Sequence, residues 1–329
     1  MSKADKIFVE LCRDILDNGM SSEGQIVRPK WEDGTFAHTI KKFGVCNRYD
    51  LREEFPAITL RKTAIKSATN ELLWIWQKKS NNINDLKSSI WDEWADEDGS
   101  IGKAYGYQMS LKYPFPDVSR NGLKKRYGED FKPVTINAKT HVRRELMSSD
   151  ELIHAHVVYN EADGIFYMDQ VDKVLYDLTV TPFSRRILTS MYNFADLGQM
   201  NLYPCAYSMT FNVTTDENKN PVLNAILNQR SQDILTANNW NVCQYAVLVH
   251  MLARAVGMIP GEFIQVISDA HIYDRHVPLV EELIQREQHP APKFSLTEGK
   301  TDFYDFSEED VIIENYVTGE QIRNIPVAV

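Results

Sequence analysis

The stretch Tyr203-Pro204-Cys205-Ala206-Tyr207-Ser208-Met209-Thr210-Phe211-Asn212-Val213 decides how this chain is read. A Pro-Cys corner opens a run whose apolar residues alternate with period two, the mark of a half-buried strand. A lone cysteine ordinarily packs as a small hydrophobe. Cys205 keeps charged and amide-rich company: Ser184-Arg185-Arg186 precedes it, and Gln229-Arg230-Ser231-Gln232-Asp233 and Asn238-Asn239-Trp240-Asn241 follow. Guanidinium groups converging on one pocket favour the thiolate, which is the nucleophilic form.

Working outward, the chain has 329 residues, 43% hydrophobic and 25% charged, a composition that supports a substantial core. One domain with an insertion, or two domains, fits that length. The net charge of −10 gives no general attraction to nucleic acid or membrane, so an anionic substrate needs a local arginine cluster. Cys12, Cys46, Cys205 and Cys243 are scattered, without a Cys-x-x-Cys pair or a Cys/His knot of zinc spacing, so a metal-free protein in a reduced setting is expected. The start Met1-Ser2-Lys3-Ala4-Asp5 lacks a basic, then apolar leader, and no stretch is long and apolar enough to span a bilayer, which points to the cytoplasm. Gly-rich phosphate loops and internal repeats are absent, against a Rossmann enzyme or a nucleotide triphosphatase.

Residues 4–19 carry apolar positions three and four apart and predict an amphipathic helix ending at Gly19. Val27 to Thr35 is a basic loop punctuated by Pro29 and Gly34, in which Arg28 is either a solvated charge or a phosphate ligand. Residues 61–78 predict a buried helix with Glu71 beside its apolar face, where partial desolvation raises a carboxyl pKa toward neutrality. Trp91 and Trp94 read as core aromatics. Residues 114–164 are polar and look inserted, with the basic run Arg120 to Arg126 on a solvated surface and a helical or irregular structure expected. His154 and His156 would share a face of a strand, and without a third ligand nearby they are read as surface residues. A helix over Val171 to Leu178 follows, then strands at 187–192, 206–213, 222–230 and 264–268, with a helix at 241–257. Without a regular βαβ repeat, the pattern supports an α/β or α+β fold.

Ser184-Arg185-Arg186-Ile187, Pro204-Cys205, Gln229-Arg230-Ser231-x-Asp233, Asn241 with Gln244-Tyr245, and Asp269-Ala270-His271-Ile272-Tyr273 stand in the order and near the spacings of one family. At these residues the chain resembles the thymidylate synthases, most nearly their Gram-positive type. The resemblance extends to Glu71-Leu72-Leu73-Trp74, to Trp91-Asp92-Glu93-Trp94 and to Val327-Ala328-Val329, and leaves out roughly residues 110–165. It implies a single domain over 1–329 with a variable insertion at about 114–164. It also implies three layers around a large mixed sheet, and a homodimer joined sheet to sheet.

The resemblance further implies methylation of dUMP to dTMP, with 5,10-methylenetetrahydrofolate as co-substrate and dihydrofolate as by-product. Carbon 6 of uracil is weakly electrophilic, and addition of a thiolate there makes carbon 5 reactive, which suits Cys205 as nucleophile with Arg230 beside it. By the same likeness Glu71 and Tyr105 handle protons. Arg28, Arg230 and Ser231 grip the phosphate with Arg185 and Arg186 lent by the other subunit. Gln229 and Asp233 belong to the dUMP site, and His271 and Tyr273 to the deoxyribose. Trp91, Trp94, Asp233 and Val329 border the folate. Asn241 gives and accepts one hydrogen bond each, as the O4 and N3 edge of uracil requires.

The chain departs from the family at Ala206, which follows the Cys in place of the usual His. It departs again at Thr236-Ala237, where Leu-Gly is usual, and at Asn239-Trp240, where Pro-Phe is usual. Polar groups near the folate can steer water, so a dUMP hydroxymethylase is the runner-up. A cysteine hydrolase pairing Cys205 with His271, and a catalytically silent nucleotide-binding protein, are the readings from other classes.

Overall fold

A computed structural model of the chain describes residues 2–139 and 149–328. The helix Lys3–Asn18 is started by Ser2, whose hydroxyl accepts the amides of Ala4 and Asp5, and stopped at Gly19. It buries Phe8, Leu11, Cys12 and Ile15, as the spacing predicts. The expected helix at 61–78 is shorter, Ile65–Trp76. Its predicted first turn is held out of the helix because Arg61 donates to the Leu235 carbonyl and the Thr63 amide donates to the Tyr316 hydroxyl at 3.1 Å.

Strands in chain order are β1 Met20–Ser21, β2 Thr39–Asp50, β3 Tyr113–Phe115, β4 Val134–Ile136, β5 Val157–Asn160, β6 Ile165–Met168 and β7 Leu188–Ser190. They continue with β8 Ala206–Thr215, β9 Pro221–Gln229, β10 Gln232–Asp233, β11 Ile259–Tyr273, β12 Lys293–Leu296 and β13 Val311–Glu314. The main sheet is seven-stranded, in the order β1-β2-β11-β9-β8-β7, with β10 also paired to β11. Parallel β11/β9 and antiparallel β2/β11 and β8/β9 make it mixed. The core lies on one of its faces, where Met209, Phe211, Leu223, Leu227, Phe263 and Ile267 meet the helices Ile65–Trp76 and Asn238–Ala255. On the opposite face Thr210, Ile226, Asn228 and Val266 stay half-exposed.

Asn238–Ala255 begins three residues before the expected start and is buried over most of its length. Gly257, at φ +69°, takes the left-handed position that ends it. The early start draws Asn238, Asn239 and Trp240 into its first turn.

The inserted segment corrects the expectation of helical or irregular structure. It carries a four-stranded sheet, β3-β6-β5-β4, and the helix Arg120–Tyr127, over a small core of Val118, Leu123, Val157, Phe166, Met168 and Tyr176. The reason is local: Val157-Val158-Tyr159 and Ile165-Phe166-Tyr167 are strand-forming runs, and Gly164 at φ +71° turns one back on the other. His154 ends the short helix Asp150–His154, so it shares no strand face with His156. His156 is also more than a surface residue. It meets Asp172 at 3.0 Å and joins a buried group in which Lys79 contacts Asp169 at 2.6 Å and Lys112 contacts Asp169 at 3.3 Å. No described helix is long and apolar enough to cross a membrane.

Candidate active site

Cys205 precedes the first residue of β8, and Arg230 follows the last residue of β9. Pairing of Ala206 with Gln229 brings the two strand ends together, and the Arg230 amide donates to the Cys205 carbonyl at 3.0 Å. The Arg230 guanidinium is then locked by the carbonyls of Pro204 at 3.1 Å and Tyr203 at 2.7 Å, which leaves Nη2 3.5 Å from Cys205 Sγ. Burial pushes the thiol pKa up, while Arg230 and Arg28 pull it down. Burial wins. Both arginines act on the thiol in the direction expected from sequence, while burial opposes them and raises its pKa on balance.

Arg230, Ser231, Arg28, His271 and Tyr273 line one cleft of about 410 Å³. Arg28 reaches it from its exposed loop, and His271 and Tyr273 come from the end of β11. His271 Nδ1 meets Asp269 at 2.9 Å, and Lys41 lies 3.4 Å from the same carboxylate. Lys41 and Asp269 also line this cleft and were given no role from sequence. The β2/β11 register places Lys41 beside His271, a juxtaposition that no local motif signals.

Arg185 and Arg186 are exposed and do not line the cleft of their own chain. They sit before edge strand β7, with Arg186 in a groove beside Lys173 and Asp177. The convergence of guanidinium groups expected from sequence is thus limited, within one chain, to Arg28 and Arg230.

Asn241 is held by two neighbours. Gln229 Nε2 donates to its Oδ1 at 3.1 Å, and its Nδ2 donates to Gln244 Oε1 at 3.2 Å. One acceptor position and one N–H remain for a ligand. Gln229 is itself fixed through Gln265, which donates to Gln229 Oε1 at 2.7 Å and accepts from Asn47 at 3.1 Å, so an amide chain crosses β9, β11 and β2.

Glu71 is 6% exposed, and its pKa is raised by burial against three donors: Trp240, Trp91 at 2.6 Å and Gln244 at 2.8 Å. Trp91 is buried with its indole N–H spent on Glu71, and Trp94 meets it edge-on at 5.8 Å and stays half-buried. Tyr105 accepts the Cys205 amide on its hydroxyl at 3.1 Å and has φ +44°, a left-handed value for a bulky residue beside the thiol. Asp233 binds its own turn through the amides of Leu235 and Thr236 and the Thr236 hydroxyl, at 2.9, 3.0 and 2.6 Å, and His276 Nδ1 lies 3.7 Å from its Oδ2. Burial pushes Asp233 up, but His276 and Thr236 bring its pKa below the ordinary value. Val329 lies outside the described residues. Among the described residues no three potential ligands form a metal cluster.

Comparison with known proteins follows the same residues. The family model for thymidylate synthase matches residues 6–329. The thymidylate synthase of Bacillus subtilis subsp. natto is 36% identical over 326 residues, covering 98% of each chain. That of Bacillus phage phi3T is 35% identical over 326 residues with the same coverage. The solved structure of thermostable thymidylate synthase A from Bacillus subtilis aligns over 99% of both chains with a TM-score of 0.78 and 35% identity. With a family model over nearly the full length and relatives this similar in sequence and fold, the chain belongs to the thymidylate synthase family.

Proposed function

We propose that this enzyme methylates dUMP to dTMP through a covalent adduct between Cys205 and uracil carbon 6. The observation that carries this reading is the placement of Arg230, which touches Cys205 Sγ at 3.5 Å while lining the cleft with Arg28, Ser231, His271 and Tyr273. That arrangement suits a nucleotide whose phosphate lies among the arginines and whose base lies over the thiol. The thiol first gives its proton to solvent and Arg230 stabilises the thiolate; as sulfur then bonds to carbon 6, the carbon 5–carbon 6 π pair moves to carbon 5 and oxygen 4. Asn241 reads the base with its remaining donor and acceptor, and His271 and Tyr273 hold the sugar. Glu71 and Tyr105 move protons at the ring.

The co-substrate 5,10-methylenetetrahydrofolate supplies the one-carbon unit and the hydride. Trp94 offers a partly open ring, and Asp233 a half-buried carboxylate beside His276. Asn239 Nδ2, buried without an acceptor among the described residues, is a donor that a polar ring edge would satisfy. These residues fit a flat, hydrogen-bonding pterin. No metal takes part in this scheme. The working unit is a homodimer joined by the half-exposed face of the main sheet, with Arg185 and Arg186 reaching the partner's phosphate site, in the cytoplasm.

The relatives named above are all thymidylate synthases, which favours methylation over hydroxymethylation. Against a cysteine hydrolase, His271 is engaged by Asp269 rather than by Cys205. The test is to incubate the protein with dUMP and methylenetetrahydrofolate, following dihydrofolate absorbance and nucleotide mass. Formation of dTMP with equimolar dihydrofolate is expected; hydroxymethyl-dUMP with tetrahydrofolate would instead mean that water wins at the exocyclic methylene on carbon 5. Cys205→Ala should stop turnover and keep dUMP binding, and turnover in that variant would remove the covalent route.

A further inference from the structure

Every hydrogen-bond partner of the Glu71 carboxylate is a donor, and two of them come from one helix. Trp240 and Gln244 stand four residues apart on Asn238–Ala255, hence on one face, and both donate to Oε2. Trp91 donates to Oε1 at 2.6 Å. Gln244 also accepts from Asn241 Nδ2 at 3.2 Å. One side-chain chain therefore runs from Trp240 through Glu71 and Gln244 to the residue that faces the base.

We infer that Trp240 is a positioning residue: its indole N–H, clamping Oε2 together with Gln244, orients Glu71 so that, among the described residues, its one open acceptor position is on Oε1. The inference rests on the reading of Glu71 as the group that moves protons. Its physical basis is a count of lone pairs. An indole N–H can only donate, and each carboxylate oxygen accepts two hydrogen bonds, so Oε2 is filled and Oε1 keeps one place. A proton arriving at Glu71 lands there without displacing a donor. The place of Trp240 in the chain is also one where the sequence leaves the family pattern, which usually has a Phe without an N–H.

The direction of the effect follows. A donor to the ionised form lowers the pKa of a carboxyl group, and removing it raises that pKa. The other titratable groups that face Glu71 are Tyr105, from the loop after the Trp91–Trp94 segment, and Tyr245, from the same helix as Trp240; burial raises both above their usual range. Cys205, beyond Tyr105, is raised as well. Glu71 is then the acid group of this cluster that Trp240 touches, and its proton affinity is the one that loss of the indole N–H changes.

Trp240→Phe keeps an aromatic ring and removes the N–H. Expected is a kcat profile whose acid limb moves to higher pH, with about three- to tenfold more loss near pH 6 than near pH 8.5 and KM for dUMP within roughly twofold. Trp240→Gln, which returns an N–H, should move the limb back. The infrared carboxyl band that disappears in Glu71→Gln should titrate at higher pH in Trp240→Phe, a readout independent of turnover. Equal loss at every pH with an unmoved band would show that the ring only packs, and would overturn the inference while leaving Glu71 in place. Full turnover by Glu71→Gln would remove the reading of Glu71 itself.

Discussion

Cys205 sits where two demands on its ionisation oppose each other: burial favours the thiol, and Arg230 and Arg28 favour the thiolate. Asn241 shows how a base reader is prepared. Its amide is pinned on both sides by Gln229 and Gln244, so its free edge faces one way. Asn241→Asp removes the N–H on that edge and substitutes an acceptor. The expected outcome is a shift of preference from dUMP toward dCMP by one to two orders of magnitude in relative kcat/KM, the scale of a lost polar match in a built site, measured by competition between the two nucleotides. Unchanged discrimination would mean that another group reads the base. The identities of Cys205, Arg230 and Asn241 were legible in sequence because each stands in a short ordered motif. The donation of Trp240 to Glu71 was not, because it joins residues 169 positions apart.

At the scale of elements, the insertion departs most from its sequence reading. Its polar composition suggested helical or irregular structure, yet two strand-forming runs and a glycine turn build a sheet. The deeper reason it is ordered is the charge cluster beneath it. Lys79 and Lys112 meet Asp169, and His156 meets Asp172 with Tyr127 stacked on its ring and Tyr304 tilted against it. The bond to Asp172 raises the His156 pKa above 6.5, against burial and Lys79. A folded pKa above the unfolded one means that the stabilisation is fully present below the unfolded value and fades as pH rises through the folded value. The Tm advantage of the native chain over His156→Asn is therefore expected to be largest near pH 5.5 and smaller near pH 8.5. A constant difference across that range would show that His156 contributes by packing alone. Nothing in the local sequence pairs His156 with Asp172, since the contact forms only when β5 packs over the helix Gln170–Val180.

For the whole molecule, the main sheet covers one face with helices and leaves Thr210, Ile226, Asn228 and Val266 partly open on the other. Phe43 and Leu188, on the same sheet, are also exposed. A half-exposed sheet face and two exposed arginines that do not line their own cleft fit the shared active site proposed above. Mixing Cys205→Ser with an Arg185→Ala/Arg186→Ala double variant, each inactive or nearly so, tests this by complementation. Random reassortment makes half of the dimers mixed with one intact site each, so about a quarter of native activity should return. No recovery after verified exchange of subunits would place the whole site within one chain.

The sequence alone determined the chemistry on offer and most of the secondary structure, because nucleophile, arginine and amide motifs are local and strands and helices follow local periodicity. The tertiary structure alone decided the state of each group. Whether Cys205 rests as thiol or thiolate, which donors surround Glu71, and which arginines share a pocket depend on burial and on distances between residues far apart in the chain. Those are properties of packing, and packing is set only when the strands have found their register.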